Sequence, residues 1–564
     1  MNTPLSLLFQ RMRVPLVVLI GAYAVATLGF TLIPGYDDSG EPWTMNFLHA
    51  FYVVSYTGST IGFGEIPAEF SDGQRMWALL CIYMTVFAWL FAIGSLVGLV
   101  RDDAFHEALG RRQLQRTIRG IRAPFYLICG YGGAGSMLVD NLVKSSRRVV
   151  VVDRSADAIR DLQLQDYNVQ VPGFRLDASV PESLIKAGLQ NRWCAGLLAL
   201  TDSDETNLKI ALAGRLLNQK VSVAARADSA ATSRNMISFE TGFVIRPAEE
   251  FAQRATLAVT RPQAYQLYER LSEAGARQKW ESDARLDGIW LICGQDDFGR
   301  LLAEQLEREG VATRIIAEDG DQAGWPRGSI FGPSSEGDTL EQAGIGEVTG
   351  LITTHANDAE NLSTIMTALM LNPELLVIAR ENHLHNRQLF EEAGTHLTCS
   401  VSGIVASAIR PVLEAPMVPA FFEAMLGRDE GWSRDCLKRI HDRIGEERVQ
   451  YWSSRVSEKR TPPLAEIIES GGEFTVGMLT LDPRDRNEKL DALVLMIGRE
   501  DHVLLLPDED EPLAMGDRIL FCGTPHSAEL IWAVAVDPDV VRYLQSGHPR
   551  LASRPWWWRT AASP

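Results

Sequence analysis

Two apolar runs set the terms on which this chain can fold: residues 14–34 (VPLVVLIGAYAVATLGFTLIP) and 76–100 (MWALLCIYMTVFAWLFAIGSLVGLV). At about 1.5 Å per helical residue, each is long enough to cross a hydrocarbon core of roughly 30 Å. The first reads as a span rather than a cleaved leader, although Arg11 and Arg13 precede it and Ala22-Tyr23-Ala24 has the form of a cleavage site. Between the runs lies Thr60-Ile61-Gly62-Phe63-Gly64-Glu65. Irregular backbone at membrane depth has to be buried in protein or line a watery path, because lipid satisfies no amide. Glycines at alternate positions let successive carbonyls point one way and replace an ion's water shell.

The stretch ahead of this loop, Trp43 to Tyr56 (WTMNFLHAFYVVSY), has Phe47, Phe51 and Val54 at helical spacing. It predicts a short helix whose partially negative C-terminal end faces a cation. His49 reads as a packing residue of that helix. Glu65 has two open readings: bracing the loop from behind by hydrogen bonding, or facing the outer water. The whole arrangement resembles the selectivity filter of a potassium channel, with Phe63 where many members carry Tyr and Glu65 where many carry Asp. The resemblance implies a filter of Thr60, Ile61, Gly62, Phe63 and Gly64. Potassium would be held by the carbonyls of Thr60, Ile61, Gly62 and Phe63 and by the Thr60 hydroxyl. One chain supplies one quadrant of such a ring, so a homotetramer is implied. One departure is that many members carry a mid-helix hinge glycine. Here that region reads Tyr83-Met84-Thr85-Val86-Phe87-Ala88, and the glycines come late, at Gly94 and Gly98.

Charge sets the orientation. Arg11 and Arg13 precede the first run, and Arg101, Arg111, Arg112, Arg116, Arg119 and Arg122 follow the second. Between the runs lie Asp37, Asp38, Glu41, Glu65, Glu69 and Asp72, with Arg75 the only basic residue. The positive-inside rule therefore puts both termini in the cytoplasm of a multi-pass protein of the cell's inner (plasma) membrane. A net charge of −18 argues against nucleic acid as a partner and suits a large cytoplasmic part. The seven cysteines have neither disulfide nor zinc spacing and read as buried thiols.

After a basic linker, Phe125 to Cys129 is an apolar strand that runs into Gly130-Tyr131-Gly132-Gly133-Ala134-Gly135. A second apolar strand, Val149 to Val152, ends on Asp153. This is a dinucleotide-binding fingerprint in its required strand–turn–helix context. Gly130 makes the tight turn, Gly132 admits a pyrophosphate, and Gly135 lets helix and strand pack closely. Asp153 accepts ribose hydroxyls and disfavours a 2′-phosphate, with the neighbouring Arg154 the candidate for a phosphate contact.

The pattern returns. Leu291-Ile292-Cys293-Gly294 repeats Leu127-Ile128-Cys129-Gly130; Thr353-Thr354-His355 with Asn361 echoes Leu200-Thr201-Asp202 with Asn207; Ala379-Arg380 echoes Ala225-Arg226. Two copies of one α/β domain follow. Where the first has Gly132 the second has Asp296, which would repel a phosphate, so the second copy is expected to be structural or to bind something else. Filter and repeat together resemble the prokaryotic potassium channels gated by regulator-of-potassium-conductance (RCK) domains. The stretch Gly173-Phe174-Arg175-Leu176-Asp177-Ala178 looks like that family's Gly-Asp-Ala segment, although Phe174 replaces the usual acid. By this resemblance Asp153, Asp177, Thr201 and Arg226 surround an adenine nucleotide. Asp202, Asp204, Glu205 and Asp297 read as solvated loop faces, and a divalent-cation site is left open.

The expected architecture is a membrane α-helical pore module of two helices and a pore loop, then two α/β Rossmann-like RCK domains and a small α+β C-terminal subdomain. The pore module is placed at 1–100, a linker at 101–123 and the first Rossmann-like lobe at 124–245. Crossover helices follow at 246–287, then the second lobe at 288–412, a helical connector at 413–460, the subdomain at 461–536 and a tail at 537–564. The function implied is a potassium channel, not an enzyme, whose ring of eight RCK domains binds NAD(H), another adenine nucleotide or an ion. The alternatives are a membrane-tethered NAD-dependent oxidoreductase and a pore-less regulatory subunit of a potassium transporter. The histidines offer the former no catalytic constellation, and neither needs the Thr60–Glu65 loop.

Overall fold

The computed structural model describes residues 4–36, 41–66, 68–100, 116–272, 287–294, 296–317, 328–447, 449–500 and 502–547. Most of the expected linker, residues 273–286 of the crossover segment and the tail from 548 lie outside them. The chain divides into two units, Met1–Gly120 and Ile121–Pro564.

In the first unit, α1 (Pro4–Leu32) and α3 (Asp72–Val100) are long helices. Their segments Met12–Leu32 and Asp72–Gly98 are long and apolar enough to cross a membrane. Gly29 allows close approach: a Cβ there would lie 2.0 Å from the Trp77 ring, whose Nε1 donates to the Ala26 carbonyl at 3.0 Å. The short helix α2 (Phe47–Gly58) starts later than Trp43, because Asn46 caps it by accepting from the His49 amide. Trp43 instead belongs to a two-stranded antiparallel ladder, β1 (Gly35–Tyr36) with β2 (Pro42–Trp43). Of Phe47, Phe51 and Val54, which recur at helical spacing, Val54 is the buried one. Ala50, Val53, Val54 and Tyr56 are buried, whereas Phe47 and Phe51 are 70% and 45% exposed. Ala50, Val53, Val54 and Tyr56 pack with Phe30, Phe70 and Cys81.

The second unit contains two parallel sheets of one topology. Lobe one uses β3 (Phe125–Cys129), β4 (Arg148–Asp153), β5 (Gly173–Arg175), β6 (Cys194–Ala199), β7 (Ser222–Arg226) and β8 (Phe243–Ile245). The order is β5-β4-β3-β6-β7-β8. Connecting helices are α4 (Gly133–Lys144), α5 (Ala156–Leu164), α6 (Pro181–Lys186), α7 (Asp204–Leu217) and α8 (Ala230–Ser238). Two helices follow, α9 (Pro247–Thr260) and α10 (Pro262–Ser272). Lobe two repeats the plan with β9 (Ile289–Cys293), β10 (Ala312–Ala317), β11 (Ile330–Phe331), β12 (Gly350–Thr353), β13 (Leu376–Glu381) and β14 (Leu397–Ser400), ordered β11-β10-β9-β12-β13-β14. Its helices are α11 (Asp297–Arg308), α12 (Gly337–Gln342), α13 (Asp358–Leu371), α14 (Arg387–Glu392) and α15 (Val401–Glu414). Strand order reverses between β3 and β6, and between β9 and β12. Ligands of open α/β sheets bind at such points.

The lobes exchange helices. Val405, Ala406 and Ile409 of α15 complete the core of lobe one against Ile128, Leu138 and Leu142. Phe251, Ala252 and Ala255 of α9 complete that of lobe two against Trp290, Ile292 and Leu302. Arg254, 3% exposed in α9, donates to Ser407 Oγ in α15 at 2.8 Å and lies over the Tyr268 ring. A buried cation held by partners on three helices fixes their register.

Beyond α16 (Val418–Leu426) and α17 (Glu430–Ile444) comes an antiparallel sheet ordered β15-β18-β16-β17. Its strands are β15 (Gln450–Arg455), β16 (Ala492–Arg499), β17 (His502–Leu505) and β18 (Arg518–Gly523). The stretch Gln450–Arg455, placed in the connector by sequence, pairs along all six residues with β18. The stretch from 537, placed in the tail, opens with a helix over Pro538–Ser546 whose Val540, Val541 and Leu544 join that sheet's core. The strand's partner lies tens of residues away, beyond the reach of local periodicity, whereas the helix packs on the preceding Pro525–Val536 and on Pro462–Glu469.

Candidate functional site

In the loop after α2, Thr60, Gly62 and Gly64 take positive φ of 60°, 65° and 89°. Alternation of this kind turns successive carbonyls to one side, and a non-glycine residue pays for it at Thr60. The amides of Ile61 and Gly62 both donate to the Tyr56 carbonyl, at 3.0 and 3.4 Å, so they point back toward α2. The Tyr56 hydroxyl donates to the Gly64 carbonyl at 2.6 Å. Tyr52 and Tyr56 also hold the Phe63 ring, with centroids 6.2 and 5.6 Å away. Sequence reasoning passed over both tyrosines; their signal was aromatic residues on a helix that feeds a glycine loop. The Glu65 carboxylate accepts from the Phe70 amide at 2.9 Å and takes Arg75 bidentately at 2.9 and 3.1 Å. It ties down the segment after the loop. Removing the Tyr56 hydroxyl by Tyr56→Phe deletes a bond of about 1 kcal/mol in each chain. Faster amide exchange across 62–65 is the expected outcome, read by hydrogen-exchange mass spectrometry.

The second constellation sits at the switch point of lobe one. Gly130 has φ +103°, and a Cβ there would lie 2.8 Å from the Leu200 carbonyl. At Gly135 a Cβ would fall 2.0 Å from the Gly130 oxygen, so glycine is what lets α4 pack on the turn. Gly132 is the N-cap of α4, in extended conformation and without a side-chain cap, and a Cβ there would meet nothing within 4 Å. Open space against uncapped amides is a cradle for an anion. Asp153 ends β4 with one oxygen accepting from the Tyr131 amide and the other from the Ser155 amide, each at 2.7 Å. A carboxylate has about four lone-pair sites, so acceptors remain for ribose hydroxyls. Arg154 is exposed beside it.

Asp177 is exposed after β5, and hydrogen bonds from Ser179 hold its carboxyl below the ordinary range. The Thr201 amide and hydroxyl both donate to Asn207 Oδ1, at 3.0 and 2.7 Å, and Asn207 Nδ2 donates to the Thr201 and Arg226 carbonyls. Asn207, 1% exposed, thus staples β6 to β7. Arg226 pairs with Asp228 at 3.0 Å and Asp202 at 3.1 Å. The other acids left open by sequence are engaged as well: Asp204 accepts the Asp228 and Ser229 amides, Glu205 pairs with Lys209, and Asp297 with Arg300. Among the described residues no His, Cys, Asp or Glu group is arranged to hold a metal ion. A cleft of about 470 Å³ opens beside the turn, lined by Tyr131, Gly132, Gly133, Ser136, Asp161 and Gln165. Tyr131 closes one side through Tyr167, whose hydroxyl reaches Asp140.

Lobe two places different groups at the same positions. Asp296 caps α11 by accepting from the Phe298 amide at 3.0 Å, and its second oxygen takes Arg380. The Asn361 staple repeats that of Asn207, binding the His355 and Arg380 carbonyls at 2.9 and 3.0 Å. Structurally, then, His355 corresponds to Thr201, one residue from the match suggested by Thr353-Thr354-His355. Its imidazole is fully buried on Ser334 Oγ, with Nε2 at 2.8 Å.

The TrkA-N domain family matches residues 126–247 and 290–401, which are the two lobes. Each lobe is similar to that domain family along nearly its whole length. Among curated proteins the chain is similar to potassium channel protein 1 of Methanocaldococcus jannaschii, 23% identical over 230 residues, covering 41% of this chain and 64% of that one. It is also similar to the voltage-gated potassium channel Kch of Escherichia coli, 26% identical over 216 residues, 36% of this chain and 49% of that protein. The chain covers less than two thirds of either relative. Among solved structures, the GsuK channel aligns over 94% of this chain and 98% of its own at 17% identity and a TM-score of 0.47. In this chain the two matched lobes follow two helices able to span a membrane and the alternating loop between them.

Proposed function

We propose that the protein is a homotetrameric potassium channel of the inner membrane, with both termini cytoplasmic, whose TrkA-N domains form a ligand-sensing ring of eight. The observation that carries this reading is the alternating backbone from Thr60 to Gly64, with amides drawn back to Tyr56 and carbonyls left for an ion. Thr60, Ile61, Gly62 and Phe63 supply the potassium ligands, and Gly64 ends the filter on the Tyr56 hydroxyl. The domain limits follow the two lobes, the exchanged helices and the C-terminal sheet. No catalytic step is assigned. Potassium flux into liposomes holding the purified full chain tests the reading; absence of flux under every ligand condition refutes it.

The regulatory ligand in this reading is NAD(H) or another adenine nucleotide in lobe one. Gly130, Gly132 and Gly135 shape the cradle, and Asp153 takes the ribose. Arg154, Asp177, Thr201 and Arg226 lie on the loops around it. A bound ligand shifts open probability by its differential affinity for open and closed rings. Asp153 also selects among nucleotides. A 2′-phosphate at a few ångströms from its carboxylate costs roughly 1–3 kcal/mol, several-fold to hundreds-fold in affinity. NAD(H) is expected to bind more tightly than NADP(H), and Asp153→Ala to weaken NAD(H) and narrow the gap. Calorimetry checks this; tighter binding of NADP(H) by the native chain removes the Asp153 role and favours Arg154.

A further inference from the structure

We propose that lobe two carries in its own side chains the negative charge that lobe one takes from a bound nucleotide, so that one lobe junction is fixed and the other is ligand-dependent. The inference rests on the nucleotide reading of lobe one. Each lobe has a junction where its glycine-turn helix meets the helix received from the other lobe: α4 with α15 in lobe one, α11 with α9 in lobe two. A Cβ on Gly133, the first residue of α4, would lie 2.2 Å from Ser402 Oγ near the start of α15. In lobe two the counterpart of Gly133 is Asp297, which faces Arg246, the N-cap residue of α9, at 3.8 Å. The starts of two helices therefore meet in each lobe, and each start carries roughly half a positive charge.

Lobe two meets that charge internally. Asp296 and Asp297 stand where lobe one has Gly132 and Gly133. Arg380 and Arg246, 8% and 7% exposed, close on them from the sheet and from the exchanged helix. Both guanidiniums keep a buried Nε without a hydrogen-bond partner; Arg246 hydrogen-bonds Glu249 on its own helix and Asp297 takes Arg300, so the Arg246–Asp297 contact across the junction is an ion pair in a wider charge network. Arg380 also stacks on the Phe298 ring, 3.6 Å from its centroid, and donates to the Thr354 carbonyl. His355 fills the place of Thr201. The assembly is a clamp made of carboxylates and arginines, bridging α11 to the start of α9.

Lobe one has the same frame without the charges. Gly132 and Gly133 carry no acid, the N-cap of α15 is Ser400 rather than an arginine, and Arg226 turns to Asp202 and Asp228. Phosphate oxygens seated on Gly132 and Gly133 reach the amides of α4 and the Ser402 hydroxyl together. They draw the start of α15 to α4 as Asp297 draws Arg246. Because α15 follows directly on the last strand of lobe two, occupancy of lobe one is reported to lobe two through one helix.

Hydrogen exchange read by mass spectrometry on the detergent-solubilised full chain, with and without NAD or ADP, tests this. Each nucleotide is expected to slow exchange at 401–406 by about tenfold and to leave 247–252 unchanged. The double variant Asp296→Asn, Asp297→Asn keeps an acceptor for the α11 cap but removes the charge. It is expected to speed exchange at 247–252 by about tenfold, with or without nucleotide, while nucleotide affinity in calorimetry stays within about twofold. Nucleotide binding without slowing at 401–406, or unchanged exchange at 247–252 in the variant, overturns the inference and leaves the nucleotide reading standing. Absence of binding by either nucleotide overturns that reading and the inference with it.

Discussion

Gly62→Ala is expected to abolish potassium-selective flux while leaving the proposed tetramer assembled. Gly62 sits at φ +65°, where an L side chain brings its Cβ against the backbone. The penalty is about 1–2 kcal/mol in each chain, and the proposed ring of four raises it to about 4–8 kcal/mol. Space is not the issue, since a Cβ there meets nothing within 4 Å in the single chain. Strain is. The chain relieves it by rotating the peptide, which turns a carbonyl out of the ring and breaks the alternation of Thr60, Gly62 and Gly64. Flux in liposomes with potassium and sodium in parallel, on material that still elutes as the native oligomer, reads the outcome. Unchanged preference for potassium removes Thr60–Gly64 from the conduction path.

Much of this was legible in the sequence because the signals are local. The apolar runs, the spacing of Gly62 and Gly64, and the turn Gly130 to Gly135 are each set by a few adjacent residues. Each is read from hydropathy or from a backbone that only glycine tolerates. The repeated Leu-Ile-Cys-Gly located the second lobe for the same reason. What the sequence withheld is pairing at a distance. Tyr56 reaches Gly64 only because α2 ends where it does. Phe47 and Phe51 keep helical spacing but face outward, since spacing fixes a stripe and not which stripe meets a neighbour. Glu65 finds Arg75 ten residues on, and Gln450–Arg455 finds β18 across the small domain. The pairing of His355 with Thr201 became visible only through the shared asparagine staple. The sequence marked Asp296 as unfit for phosphate; the arginine that balances it lies 84 residues away.

That arginine makes the consequence of Gly132→Asp concrete. In lobe two, Asp296 holds Arg380; in lobe one, the counterpart Arg226 is paired with Asp228 and Asp202. Placing aspartate at 132 puts a carboxylate in the open space above the α4 amides, where a pyrophosphate would sit. Like charges at about 4 Å and an effective dielectric of about 20 repel by about 4 kcal/mol. Even half of that lowers affinity at least tenfold. Binding of NAD or ADP should therefore fall below detection in calorimetry, whereas Asp296→Gly should leave lobe one's affinity intact. The substitution does more than remove a ligand. The new carboxylate caps α4 as Asp296 caps α11, and it offers Arg226 a third partner, so lobe one acquires the charge its ligand would have brought. Channel open probability should then become independent of nucleotide, held at the value the native chain reaches with nucleotide bound. A variant that still binds NAD or ADP with native affinity removes the glycine cradle as the phosphate seat. One that loses binding but rests at the nucleotide-free open probability shows that neutralising α4 alone does not set the gate.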